Sequence, residues 1–135
     1  MTPPPPVPGA DLARLLRRAQ RAAGLRAALL CTEDGLLIAT AGAGRPPPET
    51  AAAIAALCAI LLDRAATDLG IAPLDELNLR NLRGERFVVQ PVAVAPGTRC
   101  LLVAEVEPRR PWRRCTARLR RALAPHLARL LPPPP

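Results

Sequence analysis

The segment Glu49–Leu69 limits what this chain can fold into more than any other part of it. It contains neither Gly nor Pro; Pro47 and Pro48 stand before it and Gly70 follows it. That is the proline-in, glycine-out punctuation of a helix, with Glu49 placed at the positive end of the helix dipole. At 100° per residue, Ile54, Leu57, Cys58, Leu61 and Ala65 make a stripe of larger side chains. Ala52, Ala56, Ala59 and, at its margin, Ile60 make a second stripe on the opposite face. A surface helix has one apolar stripe and a charged back, so a helix apolar on both sides must be covered on both sides. One face can lie on the chain's own sheet. Few elements remain in 135 residues to cover the other, so a second copy is the simplest cover. Alanine lets helix axes approach closely, and the expected contact between copies is therefore the face of Ala52, Ala56, Ala59 and Ile60.

The rest of the chain reads as short, punctuated elements. A first helix is expected from Asp11 to Ala23, capped by Asp11, striped by Leu12, Leu15, Leu16 and Ala19, and stopped by Gly24. Leu25–Cys31 and Leu36–Thr40 read as strands joined through Thr32-Glu33-Asp34-Gly35, where Asp-Gly signals a tight hairpin. Ala41–Pro48 reads as a loop. Beyond Gly70, Leu77-Asn78-Leu79-Arg80 alternates like a half-buried strand. Turns at Arg83-Gly84 and Ala95-Pro96-Gly97-Thr98 then link it to Arg86–Val94 and Cys100–Val106 as an antiparallel meander. Pro111 opens a last helix with Trp112, Cys115 or Thr116, Leu119 and Leu123 inward, and Pro125 is expected to kink or split it before Leu127–Leu131. Proline tracts bracket the chain, so residues 1–9 and 132–135 read as extended tails around one domain at 10–131.

The residue inventory argues against an enzyme. There is no Lys, Ser or Tyr and a single imidazole, His126. Schiff-base, serine-nucleophile and most acid–base constellations therefore lack their parts. Cys31, Cys58, Cys100 and Cys115 are far apart, without a C-x-x-C or a nearby His, so neither a metal site nor any other cofactor is expected. Gly42-Ala43-Gly44 is followed by prolines that lack N–H donors and by no Lys-Ser/Thr, which argues against a phosphate loop. Asp63 with Asp68, and Asp75 with Glu76, read as solvated or capping carboxylates. Residues 1–8 have neither a basic nor an apolar signal region, and the uncharged helical run Thr50–Leu62 is too short to span a bilayer. The expectation is a cytoplasmic protein with four reduced thiols.

Charge is segregated. Residues 1–108 hold 11 Arg and 11 acids, whereas residues 109–135 hold 8 Arg and no acid, which is the whole net charge of +8. Arg109, Arg110, Arg113, Arg114, Arg118, Arg120 and Arg121 read as a solubilising face or as a site for an acidic protein, anionic lipid or nucleic acid. Nucleic acid is disfavoured because Phe87 and Trp112 are the only aromatics and no helix-turn-helix or zinc pattern occurs.

The order helix, two strands, helix, three strands, helix fits an α/β (α+β) fold: one five-stranded antiparallel sheet with helices on both faces. In that order the chain resembles the Roadblock/dynein light-chain family, in particular its bacterial MglB-like branch of GTPase regulators. The resemblance rests on the Asp34-Gly35 turn, the strand Leu36-Leu37-Ile38-Ala39, the Ala-rich second helix, the strand near Leu77–Leu82, the Gly84 turn, and Phe87–Val94 followed by Leu101–Val103. It covers about Asp11 to Leu131. It implies a homodimer built through the second helix and the third strand, which adds Asn78 and Arg80 to the expected interface. It also implies a non-enzymatic scaffold or regulator of a small Ras-like GTPase, with no cofactor of its own. The alternative is an Arg-driven adaptor for nucleic acid or an anionic membrane. The Arg-rich last helix and the proline tails depart from the family pattern.

Overall fold

A computed structural model describes residues 9–131. They form α1 (Ala10–Ala23), β1 (Ala27–Thr32), β2 (Leu37–Gly42), α2 (Pro48–Leu69), β3 (Leu77–Arg80), β4 (Arg86–Ala95), β5 (Thr98–Val106) and α3 (Arg113–Leu130). As the element order implied, the strands make a single antiparallel sheet; its strand order is β2-β1-β5-β4-β3. The expected tails, apart from Gly9, lie outside the described residues.

Alternation along the strands sorts the core into two layers. Ala28 and Leu30 of β1, Val88 and Val92 of β4, and Cys100, Leu102, Ala104 and Val106 of β5 point to one face. There they meet Leu12 and Leu16 of α1 and Leu119, Leu123 and Leu127 of α3. Leu29, Cys31, Val89, Leu101 and Val103 point to the other face and meet α2. Being covered on both sides is why the inner strands β1 and β5 read as nearly continuous apolar runs.

Local chemistry sets the ends. Gly35 holds φ +87° in the β1–β2 turn, where its N–H donates to the Thr32 carbonyl at 3.0 Å, a conformation that only glycine adopts cheaply. Asp11 does not cap α1: the flanking residue is Gly9, no side chain caps it, and Asp11 pairs with Arg14 at 3.4 Å from within the first turn. Pro125 does not split α3, which runs unbroken to Leu130. Its buried stripe of Thr116, Leu119, Leu123 and Leu127 continues across the proline. Burial of that stripe outweighs the one backbone hydrogen bond that proline removes.

Candidate protein-interaction site

The second helix is packed the opposite way round from the expectation. Ala51, Ala52, Ala55, Cys58, Ala59, Leu62 and Ala66 face the sheet and are buried. Ile54, Leu57, Ile60 and Leu61 are 41%, 62%, 65% and 53% exposed. Ala52 and Ala59, assigned above to a contact between copies, are instead part of the chain's own core at 0% and 2% exposure. Ala56 is half-buried at the β1–β2 turn, where its Cβ would lie 3.3 Å from a side chain at Gly35. Of the four expected contact residues on this helix, only Ile60 lies on the uncovered side. The physical reason is complementarity of bulk. The sheet offers Leu29, Leu101, Val103 and Val89, and a helix face of Ala and Cys can approach that surface closely.

The helix also has two distinguishable flanks. Ala56 and Asp63 point to the β1–β2 turn: Asp63 accepts two hydrogen bonds from Arg99, at 2.9 and 2.6 Å, and Arg99 also donates to Glu33 in that turn at 2.7 Å. At 100° per residue, Ile54 and Leu61 belong to the other flank, toward β4 and β3, and Leu57 lies beside them closer to the outward side. On this side the sheet is only partly roofed. The cross-strand row Glu105–Phe87–Leu79 runs out to the edge strand, where Leu79 is 46% exposed. β3 is an outer strand whose far edge pairs with nothing among the described residues. Asn78 is half-buried there and accepts a hydrogen bond from Arg86 at 3.3 Å, while Arg80 is exposed. The uncovered flank, the open half-sheet and the free edge are thus contiguous.

A polar cluster closes one end of this surface around a cavity of about 350 Å³. Glu85 accepts from Asn81 at 2.9 Å and pairs with Arg45 at 2.6 Å and Arg26 at 3.4 Å. The Asn81 hydrogen bond, then the charges of Arg45 and Arg26, hold the Glu85 carboxyl below its usual range. Arg26 also pairs with Glu107. Glu105 is buried, and burial pushes its carboxyl upward against the opposing pull of the Arg45 backbone N–H at 3.3 Å and the Arg26 and Arg45 charges. Gly44 abuts this carboxylate so closely that a Cβ there would overlap it, and Gly42 packs on the Arg26–Ala27 backbone, so the Gly44 end of this loop faces an acid. Nothing in the sequence signalled this cluster, because Arg26 and Glu85 are 59 residues apart.

The C-terminal Arg set is not one patch. Arg109 and Arg110 lie in the loop after β5, Arg113 pairs with Glu76 at 3.2 Å, and Arg120 donates to the Pro91 carbonyl at 2.9 Å. Arg86 and Arg113 both place their guanidinium groups 4.8 Å from the Trp112 ring centre. Arg114, Arg118 and Arg121 share a separate helix face. The carboxylates read as solvated are paired in three of four cases: Asp63 with Arg99, Asp68 with Arg64 at 2.7 Å, and Glu76 with Gln90 and Arg113.

Among the described residues no cluster of His, Cys, Asp and Glu could hold a metal ion. Burial pushes the thiols of Cys31 and Cys100 up to about 12 and about 11, and those of Cys58 and Cys115 upward as well. None is activated as a nucleophile. α2 has the length and hydropathy of a membrane span, but its Ala face is the roof of the second core.

The sequence profile of the Roadblock/LC7 domain matches residues 12–95. Among solved structures, "MglB with tetrameric arrangement" superposes with a TM-score of 0.81 at 24% identity, covering 95% of this chain and 96% of that one. The gliding protein mglB of Thermus thermophilus superposes at 0.77 with 25% identity, over 91% and 93% of the two chains. MglB of Myxococcus xanthus superposes at 0.80 with 14% identity, over 99% and 100%. No curated protein sequence matches the chain.

Proposed function

Because this chain belongs to the Roadblock/LC7 domain family, we propose that it acts without catalysis of its own, as a cytoplasmic dimeric scaffold that binds and regulates a small Ras-like GTPase. The observation that carries the reading is the continuous uncovered surface of Ile54, Leu57 and Leu61 on α2, Leu79 on the open half-sheet, and the free β3 edge. A contiguous apolar patch of this kind marks a protein contact. A second copy related by two-fold symmetry closes it: the β3 strands pair edge to edge, bringing Asn78 and Arg80 to the junction, and each α2 roofs its partner's open half-sheet. Edge pairing also satisfies the β3 backbone groups that are otherwise left to solvent.

The family resemblance supports the GTPase as partner. Ile60, on the outward side of α2, stays uncovered in such a dimer and belongs to the platform on which the GTPase sits. The absence of Lys, Ser and Tyr and the raised thiols support a regulator over an enzyme. Sedimentation equilibrium tests the dimer: twice the 14.3 kDa chain mass at micromolar concentration is expected, and a monomer throughout that range refutes it. Pull-down from cell extract, followed by binding with the partner loaded with GTP or GDP, tests the rest. A GTPase that binds equally in both nucleotide states would leave a scaffold and remove the regulator.

A further inference from the structure

On the face of the sheet opposite α2, a groove of about 660 Å³ runs between α1 and α3. Leu15, Ala19 and Ala22 of α1 and Leu119 and Ala122 of α3 line it, and Trp112 lies at the start of α3. Arg18 stands on one rim, Arg114 and Arg118 on the other. We propose that this groove docks an acidic amphipathic helix from a partner protein, with the partner's apolar stripe on the alanines and its carboxylates on the three arginines.

Three observations select that occupant. Alanines on both walls leave room for a third helix at close axial distance. Arg18, Arg114 and Arg118 have no carboxylate partner among the described residues, unlike Arg26, Arg45, Arg99 and Arg113. Three guanidinium groups flanking an apolar channel match an apolar stripe with acidic flanks, since Arg binds carboxylates bidentately. Finally, none of the large exposed apolar residues lies on α1 or α3. The apolar surface here is a groove of mostly small side chains, so a bilayer or a nucleic acid would touch the arginines and leave the channel empty, whereas a helix fills it.

The proposal does not depend on the dimer, because α1 and α3 lie across the sheet from α2 and each protomer carries its own groove. Its test uses the full chain and a synthetic helical peptide with Leu at i, i+3, i+4 and i+7 and Glu on both flanks. The same peptide with Lys for Glu, phosphatidylglycerol vesicles and duplex DNA serve as competitors. Trp112 is the only tryptophan and reports occupancy by fluorescence; Cys115, the one half-buried thiol, lines the groove and reports it by slower alkylation. The Glu peptide is expected to shift Trp112 emission and protect Cys115, and the Lys peptide to do neither. Arg18→Glu with Arg118→Glu should weaken binding at least about tenfold, and Ala122→Phe, at an exposed position, should block the groove with circular dichroism and dimer mass unchanged. Equal binding of both peptides, no binding of either, or indifference to the Arg and Ala122 variants overturns the proposal. So does binding of vesicles or DNA through Arg18 and Arg118 where the Glu peptide fails.

Discussion

Leu61→Ala should weaken self-association without unfolding the protomer. Leu61 lies on the α2 flank that overlooks β4 and β3 and is 53% exposed in the single chain. The substitution deletes three carbons, worth about 2.4 kcal/mol when fully buried, at roughly 0.8 kcal/mol per carbon. Scaled by the exposed fraction that a second copy would cover, the loss is about 1.3 kcal/mol per protomer. A symmetric dimer counts it twice, for about 2.5 kcal/mol and a roughly 70-fold rise in Kd. The remaining, already buried part of the side chain costs the monomer no more than about 1 kcal/mol, so its fold should survive. Ile60→Ala is the matched control: it is more exposed, at 65%, yet faces outward, and should leave Kd within about twofold. Sedimentation equilibrium over a concentration series gives both constants. If Ile60→Ala weakens the dimer more than Leu61→Ala, the flank assignment is wrong. If neither changes it, the two-fold packing proposed for α2 is wrong.

Three further outcomes follow from the core and its titrating groups. Ala59→Arg puts a charge into the sheet-facing layer at 2% exposure, and should prevent folding, in contrast to a surface charge, since a buried unpaired guanidinium costs several kcal/mol, about 3–5 or more; a cooperative melt near that of the parent would refute the packing described. Glu105 has a raised carboxyl, so the folded chain holds its proton more tightly than the unfolded chain, and stability falls as pH climbs from the ordinary carboxylate range through the raised value. Glu105→Gln should therefore raise Tm at neutral pH and lose that advantage near about pH 4; the same Tm difference at both would refute the linkage. Without reductant, four thiols should titrate after denaturation and Cys115 should react first in the native protein; a denatured count of zero or two would show that disulfides had formed.

The strands were legible because burial on two faces leaves a strong imprint: alternation in Leu77-Asn78-Leu79-Arg80, apolar runs in β1 and β5, and turn chemistry at Asp34-Gly35 and Arg83-Gly84. The existence and length of α2 were legible for the same reason. Its orientation was not. Both stripes are apolar, so periodicity alone cannot say which meets the sheet, and the bulkier stripe is the natural guess for a core. Here the sheet supplies the bulk and the helix the small residues. Pro125 does not end α3 because the proline rule is local, whereas the stripe from Thr116 to Leu127 is held by tertiary burial. The Arg26–Glu85–Arg45 cluster depends on register between β1, the β3–β4 turn and the β2–α2 loop, and no nearby spacing encodes that.

The two sides of the sheet differ in a way that bears on how each would be used. The α2 side exposes large apolar residues on a flank continuous with a free strand edge, and its charges, Glu85, Arg26, Arg45 and Glu107, are already matched within the chain. The α1/α3 side carries a groove of mostly small residues flanked by Arg18, Arg114 and Arg118, which no carboxylate of the described chain pairs with. Salt should separate them. Screening weakens exposed charge pairs beyond a Debye length of about 8 Å at physiological ionic strength, while apolar burial is unaffected or strengthened. Dimerisation that persists in high salt, together with acidic-peptide binding that fades, would fit one chain with two docking chemistries. If self-association itself faded with salt, the arginine face, and not the α2 flank, would be what joins the copies.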